Sequence, residues 1–260
     1  MRPHIAFFLL LLTGVTALHA QSTAADLSSH LVHQPFFLRG LWQGDKLQFD
    51  GTGILSGSSD KTSPMLSAID IDKVELKPDH LLLSGHRDAI AYVDHQPRRR
   101  KLDKLKIEIA ASPAGDYSAA LASIFTKDLA DLAPAAPDYW QPFLLHGSDI
   151  TFFATKTAPT SADRVDRKIG GAVKPPRPLN MPEPVFNREA KKIRLSGNSL
   201  IYLHTEKDGA VTHVRILRPL GAGLDEAAVH AVQSYKFAPA NENGNPVAVE
   251  LNVEVNFQIY

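Results

Sequence analysis

The end of the chain alternates between apolar and polar or small side chains, and this run restricts the fold more than any other feature. Successive side chains of a β-strand point to opposite faces, so the run predicts a strand with one apolar face. A shift of one residue would turn that face to solvent, which fixes the register once the face is buried. The apolar positions are Val247, Val249, Leu251, Val253, Val255, Phe257 and Ile259.

A helix shortly before this run is the nearest element that can cover its apolar face. In GAGLDEAAVHAVQSYKFAPA, Gly221 to Ala240, apolar residues recur at helical spacing, and the small alanines permit close approach to a sheet. Asp225 and Glu226 lie in the first turn, where negative charge matches the helix dipole. The face predicted to be buried consists of Leu224, Ala228, Ala231, Val232 and Tyr235.

Two further elements precede this helix. The stretch NSLIYLHTEKDGAVTHVRILRPL predicts a β-hairpin, because two alternating runs flank the turn-forming pair Asp208-Gly209. The stretch VFNREAKKIR predicts a short helix. Residues 185–260 are therefore predicted to form an α+β domain in the order helix, β-hairpin, helix, β-strand, with a three-stranded antiparallel sheet.

The front of the chain has a different pattern. Residues 21–160 alternate short strand-like runs with turn residues, as in SAIDIDKVELKPDHLLLSG, and predict a β-rich α+β domain of unknown function with a mainly antiparallel sheet. One amphipathic helix interrupts the series. Residues 161–184, rich in Pro and Gly, are predicted to be a partly extended linker. The stripe of the predicted helix consists of Tyr117, Leu121, Ile124, Phe125 and Leu129.

Residues 1–20 have the pattern of a secretory signal peptide. Arg2 supplies positive charge, an apolar block follows, and cleavage after Ala20 fits the small residues there. The apolar stretch Ile5–Leu18 is 14 residues long, whereas about 20 are needed to span a bilayer. The prediction is a secreted, periplasmic protein, and the alternative is an inner-membrane anchor formed by the retained segment.

Composition and motifs argue against most kinds of chemistry. The chain has no cysteine, which excludes disulfides and thiolate catalysis. Its Lys+Arg and Asp+Glu counts are both 28, so the chain has no net positive charge that would attract nucleic acid. His86-Arg87-Asp88 lacks the rest of a kinase motif and is interpreted as a strand-end turn. The cluster Arg98–Lys101 could contact lipid headgroups, lipopolysaccharide phosphates or nucleic acid, but a solvated hairpin tip is the preferred interpretation. We predict no enzymatic activity, no cofactor and no metal site.

One pair of carboxylates leaves the metal question partly open. Asp70 and Asp72 lie two residues apart, share one strand face and could contribute to a cation site. No third ligand lies near them in the sequence, so an exposed polar face is the preferred interpretation.

The C-terminal residues resemble the C-terminal domain of TonB, the periplasmic energy transducer of Gram-negative bacteria. The resemblance covers residues 185–260 and rests on Gly197, the Asp208-Gly209 turn, LGAGLDEAAVHAVQSYKFAPA, the Gly244-x-Pro246 turn and the closing VELNVEVNF. The chain departs from the family at Phe186-Asn187, where Tyr-Pro is usual. The front domain resembles that of other secreted bacterial proteins with this tail, on RGLWQGDKLQFDGTGILSG and DLAPAAPDYWQPFL.

The resemblance implies a function in TonB-dependent transmembrane transport. The TonB domain binds an extended segment of an outer-membrane receptor beside its last strand, which is β-augmentation. The implied peptide-binding edge here consists of Val249, Glu250, Leu251, Asn252, Val253, Glu254, Val255, Asn256 and Phe257. The implied partner is an outer-membrane TonB-dependent receptor or another periplasmic peptide segment, with a homodimer through the same strand as the alternative.

Two other functions are kept as alternatives. The first is a membrane-anchored energy transducer with its N-terminal helix retained. The second is a β-rich carrier of small molecules, which would require a large apolar pocket in the front domain.

Overall fold

The computed structural model of the protein describes residues 22–112, 115–147 and 167–259. The predicted signal peptide and the beginning of the predicted linker lie outside these ranges. Within them, none of the helices has the length and apolar character needed to cross a membrane.

The front of the chain forms a six-stranded sheet in the order β2-β5-β4-β3-β1-β6. Every pairing is antiparallel except that of β2 with β5, which confirms the predicted mainly antiparallel sheet. Its strands are β1 (Phe36–Leu38), β2 (Lys46–Phe49), β3 (Ala68–Leu76), β4 (His80–Val93), β5 (Gln96–Ala110) and β6 (Phe125–Thr126).

The front domain has more helix than the single predicted one. Its α-helices are α1 (Ala24–Leu31), α2 (Ser118–Ile124) and α3 (Gln141–His146), and its 3₁₀ helices are Pro64–Leu66, Ala130–Ala135 and Asp138–Trp140. The predicted apolar stripe continues to Leu129, but α2 ends at Ile124. Phe125 adopts an extended conformation and pairs with Leu38 in the sheet. The prediction extended the helix because Phe125 and Leu129 continue the helical spacing of apolar residues, although Phe125 is buried here as part of a strand.

Helices α1 and α2 cover one face of this sheet. Apolar side chains of both helices pack with the inward-facing residues of the central strands in one buried cluster. The periodic burial along β5 follows the alternation of its side chains. Members of the cluster include Leu27, Leu31, Ile69, Ile71, Leu81, Leu83, Ile107, Ile109, Ala120 and Ile124.

The C-terminal part has the predicted order of elements around a three-stranded antiparallel sheet, β10-β9-β14. Helix α5 packs on β9 and β10. Strands β9 and β10 form the predicted hairpin around Asp208-Gly209. The elements are α4 (Arg188–Lys192), β9 (Gly197–Thr205), β10 (Val211–Arg218), α5 (Leu224–Gln233) and β14 (Val249–Phe257).

The predicted final run is divided in two. Val247 ends a separate hairpin, β14 begins after Ala248, and Ile259 lies beyond the strand and is 41% exposed. The strands between α5 and β14 are β11 (Lys236–Ala238), β12 (Ala240–Glu242) and β13 (Asn245–Val247).

Part of the predicted linker pairs with the C-terminal domain. Strand β7 (Val173–Lys174) pairs with β12, and β8 (Arg177–Asn180) pairs with β11. These residues therefore lie against the C-terminal domain, although the boundaries given above for the domains stay a prediction.

The front and C-terminal parts share one hydrophobic core. Side chains such as Leu41 and Trp140 belong to the same buried cluster as Ile201 and Val232. The backbone joins the two parts as well, because Tyr92 N–H donates to the Leu220 carbonyl and Ala222 N–H to the Ile90 carbonyl, each at 2.9 Å. The loop before α5 thus forms backbone hydrogen bonds with the C-terminal end of β4, as a neighbouring strand would.

Candidate peptide-binding edge

Strand β14 pairs with β9 in one uninterrupted register. Nine consecutive pairs run from Val249 opposite Thr205 to Phe257 opposite Gly197, without a bulge. The apolar residues of β14 are buried or partly buried, while every polar residue between them is exposed. This alternation is the one predicted from the sequence.

The backbone direction along β14 follows from its contact with Arg167. The Arg167 N–H donates to the Ala248 carbonyl at 3.0 Å, and Arg167 forms a parallel bridge with Val249. Because the backbone groups of successive residues point to opposite sides of a strand, Ala248 and every second residue after it point away from β9. The outward N–H and C=O groups are therefore those of Glu250, Asn252, Glu254 and Asn256.

Among the described strands, β14 has only β9 as a neighbour, so it forms an edge of the sheet. Arg167 occupies this edge at its N-terminal end. The stretch from Asn252 to Asn256 has no backbone partner on the outer side among residues 22–112, 115–147 and 167–259. The structure therefore places all nine predicted residues on one strand. The edge without a backbone partner is, however, limited to the C-terminal half of β14.

Polar side chains on the exposed face of β14 are held by neighbouring strands. Glu254 accepts hydrogen bonds from Arg218 Nη2 at 3.0 Å and Asn198 Nδ2 at 3.4 Å. Glu250 Oε1 lies 3.6 Å from His204 Nε2. These side-chain contacts lie over the sheet and do not involve the outward backbone groups of the edge.

The far end of β14 is supported by the segment before α4. The Phe186 ring packs edge-on against Phe257, with 5.6 Å between ring centroids. Asn187, which stands where the family usually has proline, caps α4 by accepting from Ala190 N–H at 2.9 Å. Its Nδ2 also donates to the Ala222 carbonyl at 2.7 Å, so the departure from the family pattern contributes two hydrogen bonds.

The two acidic residues lie in the first turn of α5, as predicted, and also form contacts outside the helix. The Asp225 carboxylate is fully buried and accepts from Ser199 Oγ at 2.7 Å and from the N–H groups of Leu220 and Gly221 at 2.8 Å. Burial raises the pKa of Asp225, and these hydrogen bonds oppose the rise. The carboxylate organises the loop that docks on β4.

Glu226 faces the front domain. Its Oε1 accepts from the indole Nε1 of Trp140 at 2.7 Å. Burial and the neighbouring Asp225 carboxylate raise the pKa of Glu226 to about 7, against hydrogen bonds from Trp140 and Ser63. Sequence reasoning did not predict that this side chain is partly buried, because Trp140 is far from it along the chain.

The structure corrects the interpretation of one charged motif and refines that of another. His86-Arg87-Asp88 lies inside β4 rather than in a strand-end turn, and Arg87 donates to the carbonyls of Trp42 and Gly44. Arg98–Lys101 lies in β5 close to the β4–β5 turn, and Arg98, Arg100 and Lys101 are exposed as predicted, whereas Arg99 Nε donates to Asp88 Oδ2 at 2.9 Å. The sequence could not show these long-range partners.

The front domain contains a groove of about 870 Å³, beside β2 and β5. Most of its lining side chains are polar, so the groove gives no support to a carrier of apolar molecules. They include Gln43, Lys46, Gln48, Ser59, Asp60 and Glu108.

Residues 182–259 match the family model described as "Gram-negative bacterial TonB protein C-terminal". The chain is also similar to a solved structure from Pseudomonas aeruginosa, entitled "Solution NMR structure of Pseudomonas aeruginosa TonB CTD". The two are 22% identical, the similarity covers 35% of this chain and 90% of that one, and the TM-score is 0.28. No curated protein matches the chain. By the family match, residues 182–259 form a domain of the TonB C-terminal family, joined here to a front domain that the match does not cover.

Proposed function

We propose that the C-terminal domain binds an extended peptide segment of an outer-membrane transport receptor, which adds as a strand beside β14. The observation that carries this proposal is the open edge from Asn252 to Asn256. An unpaired strand edge in a soluble domain is an aggregation hazard, and use by a partner is one reason for it to persist.

The number of open backbone groups limits the binding free energy that strand addition alone can supply. Three outward residues offer about six backbone hydrogen-bonding groups, each worth about 1 kcal/mol net. A total of about 6 kcal/mol corresponds to a Kd of roughly 40 µM before ordering costs. Backbone pairing alone is therefore weak, and side-chain contacts must supply selectivity among receptor segments.

The proposed location is the periplasm, after cleavage behind Ala20. There the edge would meet the receptor segments that extend inward from the outer membrane. In the alternative, residues 5–18 stay in the inner membrane and the protein transmits force. The N-terminal residue and membrane partition of the protein from its host distinguish these cases, because only the cleaved form begins at Gln21 in the soluble fraction.

Asn252→Pro tests the edge directly. Proline removes an N–H that points outward, and edge strands tolerate proline at such positions. We expect Asn252→Pro to reduce the affinity for a synthetic peptide from the periplasmic segment of a TonB-dependent receptor at least tenfold, measured by isothermal titration calorimetry. Asn252→Ala retains the N–H and should bind like the wild type.

The control separates loss of the edge from loss of the sheet. Val253→Pro removes an N–H that points toward β9, so this variant should show the circular dichroism change of a disrupted sheet, whereas Asn252→Pro should not. Peptide binding that survives Asn252→Pro contradicts the proposal. A dimer in light scattering that Asn252→Pro converts to monomer, without peptide binding by the wild type, would favour pairing with a second copy.

A further inference from the structure

A histidine from the α1–β1 connection lies beside the two aspartates of β3. The His33 N–H donates to the carbonyl of Ile71 at 3.0 Å, and Asp70 and Asp72 are the residues on either side of Ile71. This backbone bond places the imidazole next to both carboxylates. No third ligand lies near Asp70 and Asp72 in the sequence, but the fold brings His33 to them.

The three side chains are close enough to share one ion. One ligand atom from each of His33, Asp70 and Asp72 lies within 4.8 Å of the others, the one such group in the described part of the chain. His33 Nδ1 and Asp70 Oδ1 are 3.5 Å apart. Two ligands of a tetrahedral zinc ion, each about 2.0–2.1 Å from the metal, are separated by roughly 3.3 Å.

One carboxylate oxygen in this cluster is buried and receives no hydrogen bond from the described residues. Asp70 Oδ1 is inaccessible to solvent and has no hydrogen-bond donor among the described residues. His33 Nδ1 lies at ion-pair distance from this oxygen, 3.5 Å, but does not form a hydrogen bond with it. A buried acceptor without a hydrogen-bond donor destabilises the fold, more so when it is charged, and a bound cation would remove that cost.

Asp72 is oriented by a second layer of polar groups. His86 Nδ1 lies 3.3 Å from Asp72 Oδ2, and His86 Nε2 lies 3.5 Å from Asp88 Oδ1. Asp88 in turn accepts from Arg99. Carboxylates that bind metals are commonly held by such outer contacts, which limit their movement.

We propose that His33, Asp70 and Asp72 bind one divalent transition-metal ion, of which zinc is the best fit. An imidazole nitrogen suits zinc, whereas magnesium and calcium prefer oxygen ligands alone. Three protein ligands leave a coordination position for water. His33 is 71% exposed, so the ion exchanges with solvent. This site is independent of the peptide-binding edge.

Zinc binding by the mature chain tests the proposal. Isothermal titration calorimetry with ZnCl₂ should give one ion per chain. His33→Ala and Asp72→Asn should each weaken the affinity at least tenfold, and MgCl₂ should bind at least tenfold more weakly than ZnCl₂. His80→Ala is the matched control, because His80 Nδ1 also lies beside a carboxylate, Asp79 Oδ1, at 2.7 Å. It belongs to no three-ligand group among the described residues.

The outcomes are distinct. An unchanged affinity in His80→Ala together with the losses in the other two variants supports the site, provided that circular dichroism shows all three folded. The proposal is overturned if the wild type binds no stoichiometric zinc, if His33→Ala binds like the wild type, if His80→Ala loses as much affinity as His33→Ala, or if magnesium binds as well as zinc.

Discussion

At the scale of single residues, Gly221 shows how closely the two parts of the chain approach. Its φ is +98°, and a Cβ there would lie 2.1 Å from the Ile90 carbonyl oxygen. We expect Gly221→Ala to lower the free energy of unfolding by at least about 3 kcal/mol, because backbone strain and a backbone clash add. Urea denaturation measures the loss.

Gly57 offers the matched control for this substitution. Its φ is +89°, but a Cβ there would meet open space. Gly57→Ala should therefore cost only about 1 kcal/mol, the penalty of the left-handed conformation alone. Equal losses in the two variants would show that the contact with Ile90 contributes nothing.

Glu226 makes stability depend on pH. The folded chain holds this proton up to about pH 7, whereas the unfolded chain releases it near 4.5, so the folded state binds more protons between these values. Stability should fall as the pH rises through this window, by about 3 kcal/mol from this residue.

Glu226→Gln tests that dependence. The amide keeps an oxygen that can accept from Trp140 and removes the charge. We expect the variant to be more stable than the wild type at pH 8 and to differ little from it at pH 4.5, in urea denaturation at both values. A difference that does not change with pH would contradict the raised pKa.

At the scale of elements, the alternation along β14 separates structural from exposed positions. Phe257 is 2% exposed and packs against Phe186, whereas Asn256 beside it is exposed. Phe257→Ala should cost about 3–5 kcal/mol in the free energy of unfolding. Asn256→Ala should change it by less than about 0.5 kcal/mol. Similar costs at both positions in denaturant titrations would mean that the two faces are not distinct.

Elements defined by local pattern were predictable, and those defined by distant partners were not. The alternation of β14 and the Asp208-Gly209 turn are local signals, and both predictions were confirmed. The pairing of β8 with β11 joins residues far apart in the chain, through a Pro-rich segment with no strand-like pattern. The same reason applies to the candidate metal site, since His33 reaches Asp70 and Asp72 only through the fold.

At the scale of the whole molecule, the shared core predicts cooperative unfolding. Trp140 is fully buried and hydrogen-bonds to Glu226 of α5, so it reports on the contact between the two parts. In a Trp42→Phe variant, which leaves Trp140 as the sole tryptophan, fluorescence and far-UV circular dichroism should follow one urea transition. Two separated transitions would show that the parts unfold independently.

The sequence predicted two domains with a spacer and did not reveal this shared core. Small residues supply much of the contact, among them Ala89, Ala91 and Ala133. Alanines allow close approach, but they create no strong apolar periodicity that would mark a buried face. The surface between the parts is therefore visible only once both are folded.

The bridge between Arg167 and Val249 has a consequence for any strand that adds to β14. It blocks one end of the edge, so an incoming segment cannot slide toward the start of β14 without displacing Arg167. On the proposed mode of binding, the protein would select its partner by length and alignment as well as by sequence, and a longer segment would have to project beyond Phe257.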